Sequence, residues 1–111
     1  MTPLKIAVTP GEPAGVGPDL TIELAQQSWP AQLVIFADEA MMQERASMLG
    51  KPLKLTHYTP GETRIQEPGE LFIQPIPAAV PVVPGELNSE NGHYVVETLR
   101  QACQANIEGD F

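Results

Sequence analysis

The sequence is short of cysteine, of basic residues and of long apolar stretches, and each shortage removes a class of function. Its single cysteine, Cys103, has no partner for an internal disulfide, and its place in an apolar helical stripe reads as core packing, not as a nucleophile. Six Lys and Arg against fourteen Asp and Glu leave a formal charge of −8, too few cations for the basic patch that a nucleic-acid backbone or an anionic membrane surface requires. No apolar run approaches the ~20 residues of a membrane span. The N-terminus also lacks the basic, apolar and small-residue order of a signal peptide, so cytoplasm is the expected compartment.

Proline, by contrast, is abundant: twelve in 111 residues, about twice the usual frequency, which cuts the chain into short elements. A chain of this length forms one domain at most, with a small core and marginal stability.

The elements follow a βαβαβ order. Leu4 to Thr9 is a short strand ended by Pro10-Gly11. Pro18 suits a first helical turn, Asp19 complements the positive end of the helix dipole, and Leu20, Ile22, Leu24, Ala25 and Trp29 supply an apolar face up to Pro30. Ala31 to Ala37, with four consecutive large apolar residues, reads as a strand buried on both faces, the habit of parallel sheets. Asp38 is placed to cap a second helix, which carries Ala40, Met41, Glu44, Arg45, Met48 and Leu49 and stops at Gly50. Leu53 to Tyr58 alternates as a third strand near a sheet edge, and Glu70 to Ile76 reads as a fourth. Pro75 to Gly85 is expected to be irregular. Asn88 or Ser89 then caps a last helix whose Tyr94, Val95, Leu99, Ala102, Cys103 and Ile107 recur at helical spacing, with Gly109 as its stop. Asp110 and Phe111 follow where a further strand is expected, as if the chain were cut.

The stretch Thr9-Pro-Gly-Glu-Pro-Ala-Gly-Val-Gly-Pro-Asp19 joins a strand to a helix start, where main-chain N–H groups and the helix dipole receive anions. Its spacing fits neither G-x-G-x-x-G nor the P-loop, it has no lysine, and Glu12 would repel a phosphate beside it. On pattern alone it reads equally as a ligand-facing loop or a tight structural turn.

This stretch resembles the opening signature of 4-hydroxythreonine-4-phosphate dehydrogenases. The segment Glu90-Asn-Gly-His-Tyr-Val-Val-Glu-Thr-Leu99 resembles the helix before that family's first catalytic segment. The likeness runs over essentially all 111 residues. It implies a fold akin to isocitrate and isopropylmalate dehydrogenases, with two α/β domains and an active-site cleft between them, completed across a homodimer. Residues 1–111 would be the incomplete first domain. The resemblance further implies NAD-dependent oxidation of a phosphorylated secondary alcohol in pyridoxal phosphate synthesis, yielding a β-keto acid that decarboxylates with help from a divalent cation such as zinc, magnesium or cobalt. The family's histidine metal ligands and its substrate-phosphate residues lie downstream, so no catalytic or metal residue is assigned here. By likeness, the Gly15-Val16-Gly17 segment is the part that would approach NAD; the same glycines equally suit a tight turn.

Other polar residues receive blander readings. His57 is a lone surface or interface imidazole, and His93 sits in the first turn of a helix, suited to a hydrogen bond there. Glu12 has an orienting or solvated role, Glu39 and Glu44 with Arg45 form a solvated helix face, and Met41, Met42 and Met48 pack a core or a subunit contact. The alternative from another class is a small non-catalytic α/β module that holds a nucleotide or phosphate in the glycine-rich loop.

Overall fold

The structure, a computed structural model, describes residues 4–111. Four parallel strands, β1 (Leu4–Val8), β2 (Ala31–Ala37), β3 (Lys54–His57) and β4 (Glu70–Pro75), form one sheet in the order β1-β2-β4-β3. Helices α1 (Gly17–Ala25) and α2 (Glu39–Leu49) carry the first two connections, and α3 (Gly92–Ile107) closes the series. The expected βαβαβ order, the fourth strand and the last helix are all present.

Alternation along β2 decides the layering. Ala31, Leu33, Ile35 and Ala37 join Ile22 and Ala25 of α1, Met41, Met42 and Ala46 of α2, and Leu71 and Ile73 of β4. Val34 and Phe36 turn to the opposite face, where they meet Phe72, Tyr58, and Tyr94 and Ala102 of α3. All seven residues of β2 are buried, as expected for a strand covered on both sides.

The connection from β3 to β4 has no helix to cover it, and Gln66 takes over that work. Its backbone N–H donates to the carbonyl of Ala31 (2.9 Å), and its buried amide donates to the carbonyls of Ala25 (2.8 Å) and Glu70 (3.1 Å). The loop is thereby sewn to the end of α1 and the start of β2, so β4 can enter between β2 and β3.

Local signals explain the helix limits. Asp38 caps α2 through a hydrogen bond from the Met41 N–H (2.8 Å), and Gly50 ends it at φ 66°, the left-handed region that suits glycine. The helix α1 stops at Ala25, short of the expected Trp29, because the Trp29 indole N–H donates back to the carbonyl of Leu24 (2.8 Å) and ends the helix from outside. Asn88 caps a short 3-10 turn (Ser89–Asn91) that runs into α3. Residues 76–88 are irregular apart from one antiparallel bridge between Val83 and Glu86.

Several expectations about faces are corrected. Leu20 is exposed, because α1 buries Pro18, Thr21, Ile22 and Ala25 instead. Met41 and Met42 are core, whereas Met48 is exposed. On α3 the buried residues are Tyr94, Thr98 and Ala102, and Leu99, Cys103 and Ile107 are exposed together with Val96. Cys103 is therefore not core; of the expected stripe, Tyr94 and Ala102 do face the sheet, with Val95 packed partly against it.

Candidate functional site

The C-terminal ends of the parallel strands gather at one edge, the place where open α/β sheets hold ligands. β1 leads there into the glycine-rich loop, β2 into Asp38, and β4 into residues 76–85. These segments are tied together. The Asp38 carboxylate accepts from the Ala78 N–H (2.7 Å) as well as from Met41, and the Asp38 N–H donates to the Tyr94 hydroxyl (2.8 Å). The buried Asn91 carbonyl accepts from the N–H groups of Ala79 (3.0 Å) and Val80 (3.2 Å).

The loop itself is held by its carbonyls. The carbonyl of Glu12 accepts from the Gly15 N–H (3.0 Å), and that of Ala14 from the Gly85 N–H (2.8 Å). The carbonyls of Pro13 (2.6 Å) and Gly15 (3.0 Å) both accept from the guanidinium of Arg45, which also pairs with Asp19 at 2.9 Å. Pro13 and Ala14 are buried while Val16 is 69% exposed, so the outward side of the loop is the Gly15-Val16-Gly17 end. The first turn of α1 has no side-chain cap. Its leading N–H groups, those of Gly17 and Asp19 since Pro18 has none, have no side-chain partner among the described residues.

Two glycines are required for the shape. Gly11 sits at φ 81°, which side-chain-bearing residues rarely adopt. A Cβ on Gly17 would stand 1.8 Å from the carbonyl oxygen of Pro10. That contact is internal to the turn, so backbone geometry alone accounts for Gly17. Gly15 is less constrained, with a Cβ reaching 3.3 Å from the carbonyl oxygen of Glu12.

The other candidates fall in different places. Glu12 accepts from the Ala14 N–H through its side chain (3.2 Å), an orienting use within the turn. His57 lies away from the loop at the end of β3, exposed, with Nε2 2.5 Å from the Glu39 carboxylate. His93 is exposed at the first turn of α3, and no hydrogen bond to its ring is found among the described residues. The reading of Arg45 as part of a solvated helix face is overturned: its side chain is 5% exposed and points into the loop. Sequence reasoning gave Asp38 only as a helix cap and passed over Asn91 and Tyr94 as components of this edge. Asn91 and Tyr94 did lie in the second stretch that carried the family likeness. A groove of about 340 Å³ between Asp38, Met41, Glu44 and residues 78–82 borders the same edge, but Gly15, Val16 and Gly17 do not line it.

Burial pushes the Tyr94 hydroxyl from its ordinary value of 10.0 up to about 12, and the charges of Asp38 and Glu12 add to this, against the bond from the Asp38 N–H. The raised value means that the folded state keeps the proton more tightly than the unfolded chain. Tyr94 therefore contributes stability that is fully present below pH 10 and is lost as pH rises through 12, about 2–3 kcal/mol in all. Urea titrations across this window should show a fall in stability for the native chain that Tyr94→Phe reduces by that amount; equal slopes would refute the assignment.

Among the described residues no three His, Cys, Asp or Glu side chains come close enough to hold a metal ion, and no helix is long and apolar enough to cross a membrane.

No family model matches the chain. Individual relatives do, and they are dehydrogenases with which it shares about half its residues. The chain is 46% identical over 112 residues to one from Enterobacter sp. (strain 638), covering 100% of this chain and 34% of that protein. It is 53% identical over 108 residues to one from Pseudoalteromonas atlantica, covering 97% of this chain and 33% of that protein. These homologues are 4-hydroxythreonine-4-phosphate dehydrogenases, and the chain spans about a third of their length. Solved structures of proteins with the same name share the fold: that from Klebsiella pneumoniae at a TM-score of 0.83 and 23% identity over 98% of this chain and 35% of that one, and that from Burkholderia phymatum at 0.78 and 19% over 100% and 34%.

Proposed function

We propose that the chain is the N-terminal fragment of an NAD-dependent dehydrogenase that oxidises 4-hydroxythreonine 4-phosphate in pyridoxal phosphate synthesis in the cytoplasm. The observation that carries this reading is homology along the whole chain to proteins of that name that are about three times as long. The architecture would be that of the isocitrate and isopropylmalate dehydrogenases. In it residues 1–111 form an incomplete first domain, and the cleft is closed by a second domain and by the partner subunit of a homodimer.

Within the fragment, Gly15, Val16 and Gly17 are the residues assigned to the cofactor. What supports this is their place at the C-terminal edge of the sheet, with carbonyls engaged inward, Val16 exposed and an uncapped helix start behind them. Donors of this kind fit the phosphates of NAD, which when bound would accept the hydride. The described residues do not fit a metal site. The divalent cation of the longer enzyme would be held by residues outside this chain.

Half a cleft should neither turn over nor bind tightly. With 4-hydroxythreonine 4-phosphate, NAD and a divalent metal, this chain is expected to form no NADH, and measurable NADH would overturn the assignment as an inactive fragment. Calorimetry should find NAD binding weaker than micromolar, because much of the contact surface is missing. Micromolar binding of NAD or of inorganic phosphate would instead favour the free-standing binding module.

A further inference from the structure

We propose that Arg45 is the positioning residue of the glycine-rich loop, fixing from beneath which side of the main chain the loop turns outward. Its guanidinium lies on α2, yet every hydrogen bond found for it goes to the loop or to α1: Nη2 donates to the carbonyl of Pro13 (2.6 Å), and Nη1 to the carbonyl of Gly15 (3.0 Å) and to the Asp19 carboxylate (2.9 Å). An arginine 5% exposed is costly to bury unless its charge and its donors are both satisfied. The loop carbonyls and Asp19 supply that satisfaction, so the arginine and the loop conformation determine each other.

The geometry constrains the loop in one direction. Carbonyls two residues apart, at 13 and 15, are drawn toward one planar fork, and the carbonyl between them is held by the Gly85 N–H. With three consecutive carbonyls engaged, the peptide planes carrying the N–H groups of Ala14, Gly15 and Val16 are fixed; the first two N–H groups donate back to Glu12, and that of Val16, the exposed residue, is the one left without a partner among the described residues. A lysine could not reproduce this, because its three donors sit on a single atom and do not form a fork. The carboxylate of Asp19 completes the arrangement and couples the first turn of α1 to α2. That this prepares the loop for a cofactor rests on the function proposed above; the conformational role does not.

The test is backbone amide exchange and relaxation by NMR on the whole chain, with Arg45→Lys and Asp19→Asn. The amides of Gly15 and Leu20 report on the loop, since they bond to the carbonyls of Glu12 and Val16. In Arg45→Lys their exchange should quicken at least about tenfold, with lower heteronuclear NOE at Val16 and Gly17, while Ile35 and Phe72 in the central strands stay within about threefold of wild type. Asp19→Asn keeps both carbonyl bonds and should loosen Leu20 more than Gly15. Uniform acceleration of loop and strands would make Arg45 a general stability residue and overturn the proposal, as would an unchanged loop. Should Arg45→Lys fail to fold, Asp19→Asn still decides, because Leu20 must then open ahead of the strands. Whether this end of the loop meets the cofactor is read separately, by amide chemical-shift changes at Val16 and Gly17 when millimolar NAD is added to the wild-type chain; shifts absent there would remove the cofactor assignment and leave the loop result standing.

Discussion

Gly17→Ala is expected to destabilise the chain by at least about 3 kcal/mol, enough to consume much of the stability of a small domain. The new methyl carbon would stand 1.8 Å from the carbonyl oxygen of Pro10 and 2.9 Å from its carbonyl carbon. Both are main-chain atoms, so no rotamer change relieves the overlap. Pro10 is stiff in φ, and the start of α1 is pinned through the pair of Asp19 with Arg45, so relief requires the end of β1 and the start of α1 to separate. Gly15→Ala is the internal control. Its nearest contacts are the carbonyl oxygen of Glu12 at 3.3 Å and the flexible Glu12 side chain, and it should cost less than about 1 kcal/mol. Urea denaturation of the two variants checks the contrast, and a Gly17→Ala protein as stable as wild type would mean that the turn is built otherwise.

The second large effect is in the core. Ile35 has no exposed surface and lies in the cluster joining both helices of one layer to β2 and β4, so Ile35→Ala should cost about 2–5 kcal/mol through lost burial and the cavity left behind. Leu99→Ala should stay within about 0.5 kcal/mol, because Leu99 is half exposed on the outer side of α3. Thermal and urea unfolding of the pair would separate a buried position of β2 from the outer side of α3. A Leu99 variant as damaging as the Ile35 one would show that the sheet-facing side of α3 has been misassigned.

The contrast marks where the sequence stops being informative. The β2 strand was legible because four successive large apolar residues leave a strand no solvent-facing side, and the limits of α2 because Asp38 and Gly50 act on their own backbone neighbours. The facing of α3 was legible only in part. That helix carries one stripe of Tyr94, Thr98 and Ala102 and another of Val96, Leu99, Cys103 and Ile107. Apolar periodicity merges Tyr94 and Ala102, which face the sheet, with Leu99, Cys103 and Ile107, which do not, because apolar residues lie on both sides of the helix and the polar Thr98 on the buried side gives no apolar signal. The edge position of β3 followed from its alternating pattern, but the insertion of β4 beside β2 depends on the Gln66 contacts with Ala25 and Ala31, which no local pattern encodes.

The candidate site divides in the same way. The glycine-rich loop was visible as a composition between a strand and a helix, and Gly17 shows how strictly the turn needs it. Arg45 was invisible, since a cation among polar helix residues reads as solvated until the carbonyls of Pro13 and Gly15 are placed beneath it. Buried polar partners distant along the chain are a tertiary fact.

The strand order has a consequence for how the chain matures. Among the described residues, the only strand beside β3 is β4, which is made later and must lie between β3 and β2. On the ribosome, residues 54–57 would therefore emerge with no neighbour to zip onto, while β1, α1 and β2 could already assemble. Until residue 75 clears the exit tunnel, a nascent chain would hold an apolar surface on β2 awaiting its other flank, the interval in which a holding chaperone would matter most.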